Sequence, residues 1–148
     1  MDISILFNNL EKIDYQELYK METDIFLSLD CIPDETRPPC VNAFLIISSW
    51  FGTSQRSGVW TFYEATKAEK IYSVLQFLKE NGDNELAQIL EKGMHDYQNP
   101  VYAENFDYPE EWIKEADEID KWIMEHEDWL WKWKYKLLID NKECLTAI

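Results

Sequence analysis

A chain of 148 residues, 46% hydrophobic and 15% aromatic, carries enough apolar side chain to pack one core without a metal or disulfide. Charged residues reach 29%, and only four glycines and five prolines interrupt the chain, a composition that excludes disorder. The formal net charge of −15 excludes direct binding to nucleic acid or to an anionic membrane, and it favours encounter with basic proteins.

That charge is uneven. Residues 1–36 carry a net −7, residues 37–103 only −1, residues 104–128 carry −9, and the last twenty carry +2. Two acidic blocks therefore flank a near-neutral centre. The start Met1-Asp2-Ile3-Ser4-Ile5-Leu6-Phe7 lacks the basic residues of a secretory signal. The apolar run 41–50 is about half a membrane span, so a cytoplasmic protein is expected. Cys31, Cys40 and Cys144 have no metal-ligand spacing and read as reduced, mostly buried thiols.

Asp14, with Glu17 three residues later, predicts a helix start close to a capping box. Leu18, Met21, Ile25 and Leu29 follow at helical spacing, widened by Tyr15 and Phe26. Pro33 and the pair Pro38-Pro39 end that element. Residues 40–51 are apolar nearly all round and predict a buried central helix, with Gly52 as its stop and 53–58 as a loop. Trp60-Thr61-Phe62-Tyr63 opens a short helix. From Thr66, the face Ile71, Val74, Leu75 and Leu78 predicts another, closed by Asn81-Gly82. Asp83 or Asn84 caps the next, which turns Leu86, Ile89, Leu90 and Met94 inward. Residues 98–108, with Pro100, read as a linker. Pro109 fits the first turn of a final long helix, whose stripe takes in Trp112, Ile113, Ala116, Ile119, Ile123, Leu130 and Leu137. Trp131–Leu137 alternates apolar and basic residues as a strand would. No partner strand exists in the sequence, so it too reads as helix, supported by Asp128 and Lys132 four apart. The expectation is an all-α, compact multi-helix bundle, a single helical domain over 1–148 with a long acidic C-terminal helix.

The segment Arg56-Ser57-Gly58-Val59-Trp60-Thr61-Phe62-Tyr63, continuing through Gly82 to Met94, resembles a bacterial family named for a DNA-mimic protein. Much of that family is catalogued as a domain of unknown function. Gly58, Phe62 and Tyr63 match its Asn-Gly-Gly-Phe signature and following aromatics, and Gly82 falls at its turn glycine. Arg56, Ser57 and Val59 depart from it. Glu115-Ala116-Asp117-Glu118-Ile119-Asp120-Lys121 is similar to the family's acidic helix start. The likeness spans about residues 40–140. It implies an all-helical fold, often dimeric, and for the named member occupation of the DNA-binding surface of a regulator.

The acidic helix is the candidate site. Carboxylates three or four residues apart share a helix face at about 5–6 Å between Cβ atoms, which repeats negative charge as a phosphate backbone does. Glu111, Glu115 and Glu118 form one row; Asp107, Glu110, Lys114, Asp117 and Lys121 form a mixed second, and Asp120 lies beside them. The competing reading is a solvated face whose acids only confer solubility. Catalysis is not indicated: acids are too many for any pair to be informative, and His95 and His126 lie in no zinc-hydrolase pattern. No Gly-rich phosphate loop or other cofactor motif is present. Gly58 suits a tight helix approach or a left-handed turn. Trp129, Trp131, Trp133 and Tyr135 read as core covered by the stems of Lys132, Lys134 and Lys136, with a homodimer interface as the second use. The functional expectation is a non-enzymatic binder of a basic protein, a DNA-binding regulator in the mimic version. The alternatives are an immunity protein facing a basic nuclease toxin and a small enzyme with a deep pocket.

Overall fold

The computed structural model describes residues 2–147, and no strand forms among them. The contacts gather into two compact units: residues up to 45 with those from 126 onward, and residues 46–125.

The first unit opens with α1 (Ile3–Leu10), where the Asp2 carboxylate accepts the Ser4 amide at 2.9 Å as an N-cap. A 3-10 segment, Tyr15–Lys20, follows, then α2 (Glu22–Asp30). The expected Asp14 side-chain cap does not form; Glu17 pairs instead with Lys20 at 2.7 Å. Helix α3 (Pro39–Ser57) begins in this unit and continues into the next. Of the cysteines only Cys40 is buried, with its thiol pushed up to about 11 by burial first and Cys144 second.

The second unit continues α3 and adds α4 (Trp60–Ala65), α5 (Ala68–Glu80), α6 (Asn84–Lys92), the short α7 (Pro100–Ala103) and α8 (Glu110–Glu125). Helix α3 does not stop at Gly52. Gly52 has nothing within 4 Å of its Cβ direction and stays helical, and the helix runs to Ser57, so the expected loop shrinks to Gly58 and Val59. The cost of a mid-helix glycine, about 1 kcal/mol, is outweighed by burying Ile47, Trp50 and Phe51. Beneath them the Trp50 indole donates to Tyr63 Oη at 3.0 Å, and that hydroxyl donates to the Leu90 carbonyl at 2.7 Å. Helix α5 closes as expected at Gly82 (φ 78°): the Asp83 amide donates to Leu78 O at 2.8 Å and the Gly82 amide to Lys79 O at 3.2 Å, a Schellman pair.

The expected long C-terminal helix is two. It breaks at His126 (φ −113°, ψ 20°), and α9 (Glu127–Asp140) and α10 (Lys142–Thr146) belong to the first unit. Glu127 and Asp128 then sit in a new first turn, where the helix dipole favours acids, and Asp128 accepts the Tyr15 hydroxyl at 3.0 Å. Within α9 the lysines are not all stems over a core. Lys134 is 0% exposed, ion-paired with Glu22 at 2.8 Å, and its Nζ lies 4.4 Å from the Trp131 ring centroid and 5.5 Å from that of Phe44. Burial lowers its pKa, and Glu22 opposes that shift. Trp133 is buried, while Trp129 is exposed. No helix of the described residues is long and apolar enough to cross a membrane.

Candidate functional site

Helix α8 starts after Pro109 and turns Ala116, Ile119 and Ile123 into the second unit's core, which sends its acids outward or sideways. The seven candidate carboxylates then divide. Glu115 hydrogen-bonds His95 Nε2 at 2.5 Å, and Glu118 pairs with Lys92 at 2.5 Å, which lowers its pKa. Asp120 accepts from Ser54 Oγ at 2.6 Å and from the Val59 amide at 2.9 Å. Those three are bound to neighbouring elements. Asp107, Glu110, Glu111 and Asp117 are exposed, and none has an ion pair or side-chain hydrogen bond among the described residues. The row Glu111, Glu115, Glu118 therefore presents one unpaired charge and two paired ones. Ile113, expected in the apolar stripe, is 48% exposed beside them.

Asp120 does structural work that bears on the site. Its carboxylate holds the Val59 amide just after Gly58, whose φ of 95° gives α3 a left-handed exit. The next residue, Trp60, packs over that turn: a Cβ at Gly58 would meet the Trp60 ring at 3.1 Å.

From there Trp60 forms one wall of a cavity of about 260 Å³ that Tyr97, Phe106 and Tyr108 continue. Ring centroids run Phe106 to Trp60 at 6.3 Å, Trp60 to Tyr108 at 5.8 Å and Tyr108 to Tyr97 at 5.0 Å, with tilts of 77°, 51° and 58°. Ile113, Ala116 and Asp117 of α8 line the other side. The Tyr97 hydroxyl donates to the Trp112 carbonyl at 3.3 Å, and that of Tyr108 to Glu64. Burial first, and a nearby carboxylate second, push both phenols up to about 12, so they stay neutral. Phe106 is 63% exposed and has φ 51°, the left-handed region that side chains avoid.

A second constellation is His95, which stacks on Trp112 (4.8 Å, 7°) and shares the hydrogen bond with Glu115. The adjoining cavity, lined in part by His95, Tyr63 and Gln98, holds only about 90 Å³, well short of the roughly 300 Å³ at which ligand pockets begin. No group of three or more His, Cys, Asp or Glu among the described residues is placed to hold a metal.

The aromatic cavity is not among the features expected from the sequence. A signal was present: Tyr97, Tyr102, Phe106, Tyr108 and Trp112 fall within sixteen residues of a segment read mostly as linker. Compared with known proteins, the chain matches no protein family, curated protein or solved structure.

Proposed function

We propose that the protein is an acidic binding module that takes a basic protein partner on the face bearing Asp107, Glu110, Glu111 and Asp117, occupying a surface the partner otherwise uses for nucleic acid. The observation that supports it is the split among the carboxylates: four stay exposed and unpaired while lysines elsewhere in the chain are spent on other acids. The helix dipole stabilises Glu110 and Glu111 by about 0.3–1 kcal/mol each in the first turn of α8, but it gives no reason for Asp107 and Asp117. Exposed like charges cost repulsion, and a basic surface relieves it. The DNA-mimic resemblance points the same way.

The experiment is capture from native extract at low and high salt, with the variant Asp107→Asn/Glu110→Gln/Glu111→Gln/Asp117→Asn alongside. A basic protein should be retained, be released by salt as the Debye length shortens from about 10 Å at 0.1 M to about 3 Å at 1 M, and be lost with the variant. Adding the acidic protein should then displace nucleic acid from the captured partner. A partner that is a nuclease toxin, bound and silenced, would replace the mimic reading with the immunity reading. Equal capture by the variant would leave the acids as solubilising only.

A further inference from the structure

We propose that the aromatic cavity of the second unit is a binding site for an organic cation whose ammonium carries alkyl groups. The walls come first: Trp60, Tyr97, Phe106 and Tyr108 converge from three separate segments, mutually tilted, and aromatic faces attract cations through their quadrupoles. Next is charge. Asp117 lines the same cavity with no ion pair among the described residues, and no lysine or arginine lines it, so the net character of the site is negative. Size then narrows the class. A cavity of about 260 Å³ lies just under the range that takes whole drug-sized ligands, and suits a headgroup or the end of a side chain.

The polar inventory distinguishes an alkylated ammonium from a bare one. A bare ammonium brings three N–H groups that need acceptors once water is removed. Both tyrosine hydroxyls donate elsewhere, to the Trp112 carbonyl and to Glu64, which leaves only neutral phenol oxygens beside Asp117, the one carboxylate lining the cavity. An alkylated ammonium has few or no N–H groups to satisfy, and its alkyl groups match Ile113 and Ala116. Phe106 supports the assignment independently, since a ring held at φ 51° at the lip meets Trp60 only edge-on and leaves most of its surface exposed. The first unit shows the same chemistry satisfied internally: Lys134 has Trp131, Phe44 and the Glu22 carboxylate around its charge. The proposal shares Asp117 with the partner face, but Glu110 and Glu111 do not line the cavity, so variants of those two test the readings apart.

The test is an NMR titration of the full chain with tetramethylammonium, choline and a short peptide carrying trimethyllysine, beside the uncharged tert-butyl isostere of choline. At least one cation should bind about tenfold or more tighter than the isostere, since a desolvated cation–π contact is worth that much. Asp117→Asn and Phe106→Gly should each weaken it by about the same factor with the amide spectrum otherwise intact. Glu110→Gln/Glu111→Gln should leave it unchanged. Whichever of choline and the peptide binds tighter identifies a free metabolite or a protein tail as the source. Equal binding of the isostere, no binding by any cation, or survival of binding in both pocket variants would overturn the proposal. An equal loss in the Glu110/Glu111 variant would also overturn it, by showing that bulk charge alone attracts the cation.

Discussion

Each unit sets aromatic rings beside a carboxylate, but only the first supplies the cation from its own chain. There, Lys134 inserts between Trp131 and Phe44, and Glu22 neutralises it at 2.8 Å. In the second, Trp60, Tyr97, Phe106 and Tyr108 face a cavity whose carboxylate, Asp117, reaches solvent. The difference separates a structural use of this chemistry from a recognition use. A buried charge with an internal partner is part of the fold and must be satisfied at all times. A carboxylate left at an open aromatic lip costs the fold little and remains available to something outside it.

The first way to break this comparison is to remove Glu22. Glu22→Ala should destabilise the protein by about 3 kcal/mol near neutral pH, because it strands a buried ammonium. Chemical denaturation measures it. The loss should shrink with rising pH. Burial holds the folded pKa of Lys134 below its ordinary value of 10.5, so the folded state binds fewer protons than the unfolded one between those two values. Stability contributed there rises with pH and levels off above 10.5. Tyr97 and Tyr108, pushed up to about 12, act oppositely above pH 10, so the comparison belongs below it. Lys134→Met combined with Glu22→Gln, which removes both charges at similar volume, should match or exceed wild-type stability. A large loss in that double variant would mean the pair is needed for more than neutrality.

Two acids three residues apart on α8 sharpen the same contrast. Asp120→Ala removes two charge-assisted hydrogen bonds, to Ser54 and to the Val59 amide, and should cost about 2 kcal/mol. It should also loosen Trp60, the cavity wall that follows this turn. Asp117→Ala should stay within about 0.5 kcal/mol of wild type, as exposed substitutions do. Thermal melts of the two variants decide it, and equal losses would place Asp117 among the structural acids.

What is legible in the sequence depends on the range of the interaction. Helices α5 and α6, and Gly82 between them, follow from local periodicity and turn chemistry. Helical spacing along α8 correctly makes its carboxylates neighbours of one another. It says nothing of Lys92, His95 and Ser54, which arrive from other helices and take up Glu118, Glu115 and Asp120. The break at His126 is invisible for a related reason, since Ile119, Ile123, Leu130 and Leu137 are buried on both sides of it as one stripe would be. Gly52 reads as a stop, but α3 takes its left-handed exit at a later glycine, Gly58. Lys134 sits in an alternating Trp–Lys run that suggests covering stems. Its burial depends on Glu22, more than a hundred residues earlier.

A gain in stability, smaller than the losses expected at Glu22 and Asp120, tests the cavity most directly. Helices α5 and α7 end with the same pair of hydrogen bonds. In α5 the Asp83 amide reaches Leu78 O and the Gly82 amide Lys79 O; in α7 the Asp107 amide reaches Tyr102 O at 3.0 Å and the Phe106 amide Ala103 O at 3.4 Å. The left-handed residue is glycine in the first and phenylalanine in the second, at φ 78° and 51°. A side chain there costs about 1–2 kcal/mol, and Phe106 is too exposed to recover much of it by burial. Phe106→Gly should therefore raise stability by about 1 kcal/mol, less than the full strain because glycine loses more entropy on folding. Gly82→Ala should lower it by a similar amount. If Phe106→Gly is instead destabilising, the ring is packing as core and its strain is explained by the fold. If stability rises while cation affinity falls, the chain keeps a strained residue at the cavity's lip against its own stability, as sites held for recognition do.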